Sequence, residues 1–407
     1  MSQQTVLIIG GRPENLRKAK ACGLGVVHVQ HPERFTSEHA AHVDAALLVD
    51  PADWDALEPL VLTAHKVYGF TSAVTTVEAS VEVTGRINDL LGLDGVSHTV
   101  ARRLRDKLSM REHLAAAGAP TVAAAEVTDR AGLAAFGARH GYPFIAKPVD
   151  GIGSLAVRLV ENEADVDAAW EAIERTRGRD HQYAKLFPIG KFLMEEYIDG
   201  PEYSVEAFTF AGRHVVVAIT EKLTDANFVE RGHLIPARLD ESAERTVEAA
   251  VVEFLDAVGV KEGPSHTELR LSSRGPRVIE SHNRPGGDRI RDLVEAVYGF
   301  DFELYSVAGT SGALPALDAR PSPRQGAATL FLQAGPGVVT AVEGAEEART
   351  AEGVLVVDLA VEPGDVISTV GSSFDRPGQV IAVGADPDAA LARCGQVCEA
   401  IRIRTRG

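Results

Sequence analysis

Two glutamates, Glu268 and Glu280, flank a short turn in the segment HTELRLSSRGPRVIESH. If residues 272–276 form the loop, pairing is symmetric about Arg274. Leu271 then faces Arg277, Arg270 faces Val278, and Glu268 faces Glu280. Strand alternation puts both carboxylates on one face of this hairpin. Directly opposed side chains have Cβ atoms about 5 Å apart, and opposed like charges destabilise. A hard divalent cation with oxygen ligands, Mg²⁺ by preference, would offset the repulsion. The other reading is a pair of solvated carboxylates on an exposed face. The second strand runs on into HNRPGGD, with Arg284 four residues beyond Glu280. An arginine beside a carboxylate-held metal suits phosphoryl oxygens. A salt bridge to Glu268, Glu280 or Asp288 is its structural alternative. Gly286 and Gly287 allow backbone to approach a ligand closely.

Three further segments carry candidate chemistry. In IAKPVDGIGSLAV, Lys147 ends an apolar strand and Gly151 and Gly153 lie in the turn that follows. Backbone N–H groups of such a loop can cradle phosphate, with Lys147 adding a point charge. In FLMEEYIDGPEYSVEAF, Glu195, Glu196, Glu202 and Glu206 crowd two short strands; carboxylates there can accept from the amino and hydroxyl groups of a nucleoside. A solvated acidic sheet edge is the alternative. In FVERGHLIPA, Glu230 and His233 stand three apart and could bind an amino acid or move a proton. A lone E-x-x-H also serves structural roles.

These residues need elements to hold them. Short apolar runs at 5–9, 26–29, 45–49 and 67–70 alternate with helical spacing at 13–22, 54–64 and 77–91, which implies a small parallel sheet. The turn GGRPENLR lacks G-x-G-x-x-G, so a dinucleotide site is not expected there. A helix is expected over 101–117, ended by Gly118-Ala119-Pro120. Hairpin-like pairs follow: 142–148 with 155–160, 192–198 with 203–210, and 267–271 with 277–282. A long helix at 242–258 sits between the last two. The stretch 309–323 reads as a linker. Strands at 327–332, 354–359 and 380–383 and a helix at 387–401 close the chain. The expected class is mixed α/β and α+β, with parts at 1–95, 96–310 and 311–407.

The length of 407 residues suits two or three domains. The net charge of −17 argues against nucleic acid or an anionic membrane as partner. Cys22, Cys394 and Cys398 are too few for a disulfide framework and fit a reducing cytoplasm. Cys394 and Cys398 read as buried small side chains rather than half a zinc site. No signal peptide and no membrane span are expected.

Taken in this order, the segments resemble the ATP-grasp superfamily, and within it the carboxylate–amine ligases, including L-amino-acid ligases that make dipeptides. The resemblance implies an N-terminal Rossmann-like α/β domain, an ATP-grasp body and a C-terminal lid-like, β-rich segment. It implies ATP and Mg²⁺ as cofactors, with two ions and Mn²⁺ as a substitute. Lys107, in RDKLSMREHL, matches the lysine that opens the nucleotide site. Lys147 matches the second phosphate lysine, and Gly151, Gly153 and Ser154 the loop over the phosphates. In E-x-x-I-x-G-x-E, the stretch from Glu195 and Glu196 to Ile198 matches the adenine hinge and Glu202 the ribose contact. Glu268 and Glu280 match the metal carboxylates. Arg284 matches the arginine that stabilises the transferring phosphoryl group, in a motif that continues with Gly286 and Gly287. Glu230 and His233 match a substrate-side E-x-x-H. The usual asparagine two residues after the second metal carboxylate is His282 here, with Asn283 one place later.

The activity implied is amide formation through an acylphosphate, with release of ADP and phosphate. The partners implied are a small carboxylate and a small amine, with a homodimer left open. A purine-biosynthetic or bicarbonate-using ATP-grasp enzyme is the nearest alternative. A non-catalytic nucleotide-binding protein is the alternative of another class.

Overall fold

The computed structural model describes residues 4–177 and 189–407. The N-terminal part is a parallel sheet in the order Ala45–Leu48, Gly25–Gln30, Thr5–Ile9, Ser72–Val74. Its central strands are buried on both faces, which explains their unbroken apolar runs. Helix Trp54–Tyr68 covers this sheet, packing Leu57 and Val61 against Leu7, Val27 and Val29.

The expected helix over 101–117 is two helices, His98–Arg105 and Lys107–Ala116. Asp106 separates them. Its backbone is extended and its carboxylate caps the second helix by accepting from the Ser109 N–H. The break places Lys107 at a helix start rather than mid-helix.

A four-stranded sheet follows, in the order Ala124–Glu126, Phe192–Glu196, Phe144–Pro148, Arg158–Val160. The expected pairing of 142–148 with 155–160 is present in shortened form. The expected hairpin of 192–198 with 203–210 is not. Strand Phe192–Glu196 stays in this small sheet, while Glu202–Phe210 enters a second, eight-stranded one. The connection Tyr197–Pro201 therefore crosses between sheets instead of turning a hairpin. The acidic segment is a hinge, not a sheet edge.

The eight-stranded antiparallel sheet runs Gly275–His282, Gly263–Ser272, Glu202–Phe210, Arg213–Thr224, Glu230–Ile235, Gly326–Phe331, Gly378–Gly384, Val354–Leu359. One face is apolar: Tyr203, Val205, Ile219, Leu269 and Val278 pack on Val247, Val251, Phe254, Leu255 and Val258 of helix Glu241–Val258. That helix is capped by Asp240 and ends at Gly259 in the left-handed region. Burying each such side chain is worth about 1.5–3 kcal/mol. The same sheet continues into the C-terminal part through the pairing of Glu230–Ile235 with Gly326–Phe331. The linker-like stretch between them is tied down where Arg320 meets Glu248 at 2.9 Å. A three-stranded sheet, Val366–Ile367, Gly337–Glu343, Arg402–Arg406, completes the C-terminal part. Helix Pro387–Ala400 buries Cys394, whose thiol is pushed up to about 12 by burial. None of the three cysteines is in a disulfide.

Candidate active site

Between the two larger antiparallel sheets lies a cleft. Lys107, Lys147, Gly151, Gly153, Ser154, Glu195, Glu196, Ile198, Glu202, Glu230, Glu268 and Glu280 all line it. Residues drawn from five sequence segments therefore meet in one place.

Register explains how the carboxylates reach it. Glu268 and Glu280 are paired across their hairpin. The loop is tighter than expected, with Ser272 opposite Gly275, Leu271 opposite Pro276 and Arg270 opposite Arg277. A bulge at Ile279 then restores the 268–280 pairing. Without it, Glu280 would share a face with the core residue Val278. A second bulge, at Arg231, puts Glu230 opposite Thr224 while His233 stays opposite Lys222. Both substrate-side candidates thus share the cleft face with Lys222 and Glu202, which are also paired.

The wall formed by the small sheet and helix Lys107–Ala116 is rich in cations. Lys147 Nζ meets Glu195 Oε1 at 2.5 Å and Arg111 Nε meets Glu195 Oε2 at 2.9 Å, all buried. Lys107 Nζ donates to the Gly151 carbonyl at 2.7 Å and reaches Glu280 Oε2 at 2.9 Å. Burial alone would raise the Glu195 carboxyl, but Arg111 and Lys147 outweigh it and bring it down to about 2. Burial lowers the Lys147 ammonium; Glu195 partly offsets this, and Arg111 and Lys107 push it down further. An incoming polyanion would relieve that crowding.

The opposite wall, the eight-stranded sheet, is rich in anions. Lys222 Nζ is buried among Glu268 at 2.8 Å, Glu202 at 2.9 Å and Glu230 at 3.3 Å. Burial opposes its charge, yet Glu202, Glu268 and Glu230 hold its ammonium well above the ordinary lysine value. Arg270 is bound to Glu202 at 3.1 Å and donates to the Ile198 carbonyl at 2.9 Å. Its guanidinium also lies 5.5 Å from the rings of both Tyr197 and Phe228.

Where the walls meet, burial would raise both opposed carboxyls. Lys222 and His266 bring Glu268 down to about 2; Lys107 and His282 hold Glu280 well below the carboxylate range. Two ionised oxygen donors side by side fit a hard divalent cation. Among the described residues, no group of three or more His, Cys, Asp or Glu is arranged to hold a metal by itself. Mg²⁺ commonly takes one or two protein carboxylates and completes its shell with water and phosphate oxygens.

Other expected residues lie outside the cleft lining. Arg284 donates from Nε to Glu78 Oε2 at 2.5 Å and from Nη1 to the Pro285 carbonyl at 2.7 Å. His282 bridges Glu280 and Glu78, at 3.1 and 3.0 Å. Asn283 turns away, into a small cavity under the N-terminal part, with both amide atoms unpartnered. Beside Gly286, a Cβ would stand 2.7 Å from His266 Nδ1. Gly287 has open space beside it. Glu206 is buried against His266 and the Gly286 N–H. His233 Nε2 sits 3.1 Å from Asp288 Oδ2, with its ring edge-on to Phe331.

Sequence reasoning missed Arg111, Lys222, Arg270, Glu78 and Arg376. Arg376 chelates Asp288 with both Nη atoms, Nη1 at 2.9 Å and Nη2 at 2.5 Å, and stacks 3.6 Å from Phe331. Left-handed backbone also marks the region. Of six non-glycine residues in that conformation among those described, two, Ser154 and Phe228, line the cleft. Such strain collects at functional sites.

Comparison with known proteins shows the family. Residues 16–95 match the ATP-grasp N-terminal domain, 140–292 the ATP-grasp domain, and 330–406 the L-amino acid ligase C-terminal domain 2. The chain belongs to the ATP-grasp superfamily, and its C-terminal part is of the L-amino acid ligase type. Among its relatives, y4rH of Sinorhizobium fredii (strain NBRC 101917 / NGR234) is 30% identical over 337 residues, covering 82% of this chain and 68% of that protein. Alanine–anticapsin ligase of Bacillus subtilis (strain 168) is 26% identical over 293 residues, covering 67% of this chain but only 59% of that ligase. The crystal structure of L-amino acid ligase from Bacillus licheniformis superposes with a TM-score of 0.82 at 22% identity, over 100% of this chain and 99% of that one. That likeness shows the fold. The superfamily generally uses ATP and Mg²⁺.

Proposed function

We propose that this chain is an ATP-dependent carboxylate–amine ligase joining amino acids or amino-acid-like molecules. The observation that carries the reading is the division of one cleft into a cationic and an anionic wall meeting at Glu268 and Glu280. Two relatives, an alanine–anticapsin ligase and an L-arginine-specific L-amino acid ligase, support amino-acid substrates.

In this reading Lys107, Arg111 and Lys147 receive the phosphates, under the loop holding Gly151, Gly153 and Ser154. Glu196 to Ile198 carry the adenine and Glu202 a ribose hydroxyl. Glu268 and Glu280 would hold Mg²⁺, two ions in the full complex, with Mn²⁺ able to substitute. The metal, when bound, neutralises charge on the phosphoryl oxygens. A substrate carboxylate oxygen attacks the γ-phosphorus, and the bond to ADP breaks. The amine then attacks the acyl carbon, and phosphate leaves with the bridging oxygen. Arg284, anchored on Glu78, stabilises the transferring group. Glu230 and His233, with Gly286 and Gly287 nearby, serve the substrate side; His233, backed by Asp288, can take the ammonium proton.

We extend the reading to three parts at 1–95, 96–310 and 311–407. A homodimer and a cytoplasmic site of action complete it, the latter supported by three free cysteines. No described helix is long and apolar enough to cross a membrane. The test is a substrate carboxylate labelled with heavy oxygen. One labelled atom should appear in the released phosphate. Unlabelled phosphate alongside amide product would overturn the acylphosphate route.

A further inference from the structure

The C-terminal part sends one loop, residues 371–376, back across the cleft. It touches three separate pieces of the site. The Ser373 N–H donates to the Gly153 carbonyl at 3.0 Å, and Ser373 Oγ donates to Glu230 Oε2 at 2.6 Å. Arg376 chelates Asp288 and lies 3.7 Å from Glu230. The loop is itself braced. Asp375 accepts from the Gly371 N–H and from Ser372 Oγ, and Arg376 Nε donates to the Ser373 carbonyl at 2.8 Å. Gly153 has φ +60°, and a Cβ there would stand 3.1 Å from the Phe374 ring. Phosphate loop, substrate-side acid and the 286–288 turn are thus fastened by one short segment.

The chemistry gives such a fastening a purpose. Water attacking an acylphosphate returns carboxylate and phosphate, so ATP is spent with no amide formed. An enzyme of this class must exclude water until the amine arrives. Among the described residues, loop 371–376 meets the cleft lining at Gly153 and Glu230.

We propose that loop 371–376 is the water seal of the reacting centre, with Ser373 and Arg376 as its positioning residues. The inference rests on the ligase reading above. It assigns to the C-terminal part the coupling of ATP use to amide formation, not nucleotide affinity.

The experiment measures ADP and amide formed per unit time by the full chain and by Arg376→Ala and Ser373→Ala. A wild-type chain that forms no amide with any substrate pair defeats the ligase reading itself. Given wild-type amide formation, the seal predicts ADP per amide rising several-fold in Arg376→Ala and less in Ser373→Ala. KM for ATP should stay within about twofold. A purely structural role would lower both products together. An unchanged ADP-to-amide ratio in folded variants, Ser373→Ala alone if Arg376→Ala does not fold, overturns the proposal.

Discussion

The two walls of the cleft solve opposite problems with the same device. On one, Arg111 and Lys147 both pair with Glu195, and Lys107 beside them pairs with Glu280. On the other, Lys222 sits inside Glu202, Glu230 and Glu268, one buried cation holding three carboxylates. Each wall carries an excess of one sign around a buried group of the other. Such charges are costly to bury alone and are retained for what they bind. In the proposed reading, the cationic wall receives phosphates and the anionic wall a metal, a ribose hydroxyl and an ammonium group.

The comparison breaks most visibly where the walls meet. Glu280→Gln should reduce turnover to background at saturating ATP, and wild-type-like turnover at high Mg²⁺ would remove Glu280 from the metal site. On the cationic wall, Lys147→Met should slow turnover on the order of 10²–10³-fold. Its KM for ATP should rise, while the Mg²⁺ requirement stays unchanged. On the anionic wall, Lys222→Met removes the one cation that Glu202, Glu230 and Glu268 share. Chemical denaturation should show a loss of about 3–5 kcal/mol. Adding Glu268→Gln should recover part of it; strict additivity would mean the pair is not coupled.

Smaller effects sharpen the contrast. His233→Ala should impair amide formation more than ATP binding. A change confined to ATP affinity would move His233 off the substrate side. Glu195 provides a pH signature. Its carboxyl falls from 4.5 to about 2 in the folded protein. The stability it contributes is therefore complete above pH 4.5 and lost as pH falls toward 2. Glu195→Gln should flatten the stability–pH curve in that window, and an unchanged acid limb would show that Glu195 is not held ionised.

Much of this was legible in the sequence, though not always for the right reason. The pairing of Glu268 with Glu280 follows from a five-residue loop or from a tight turn plus a bulge at Ile279, and the molecule uses the second. Spacing alone cannot separate two routes to one register. The acidic segment from Glu195 to Glu206 reads as one hairpin because both halves look like strands. Only the sheet partners show that the chain changes sheets at Tyr197–Pro201. Lys222 was hidden for a related reason. A single lysine in a strand looks solvated until its cross-strand neighbours, Glu202 and His233, are known. Arg376 and Ser373 stand more than eighty residues from every site residue they touch, and no local pattern marks them.

The central claim is that these walls serve one ligase reaction. The most direct test measures ADP and phosphate release with Mg²⁺ and ATP across paired amino acids, with bicarbonate as control, and identifies products by mass. The account predicts release stimulated by particular pairs, with an amide of matching mass. Release driven by bicarbonate without any amino acid, or ATP bound with no stimulated release by any pair, would contradict it.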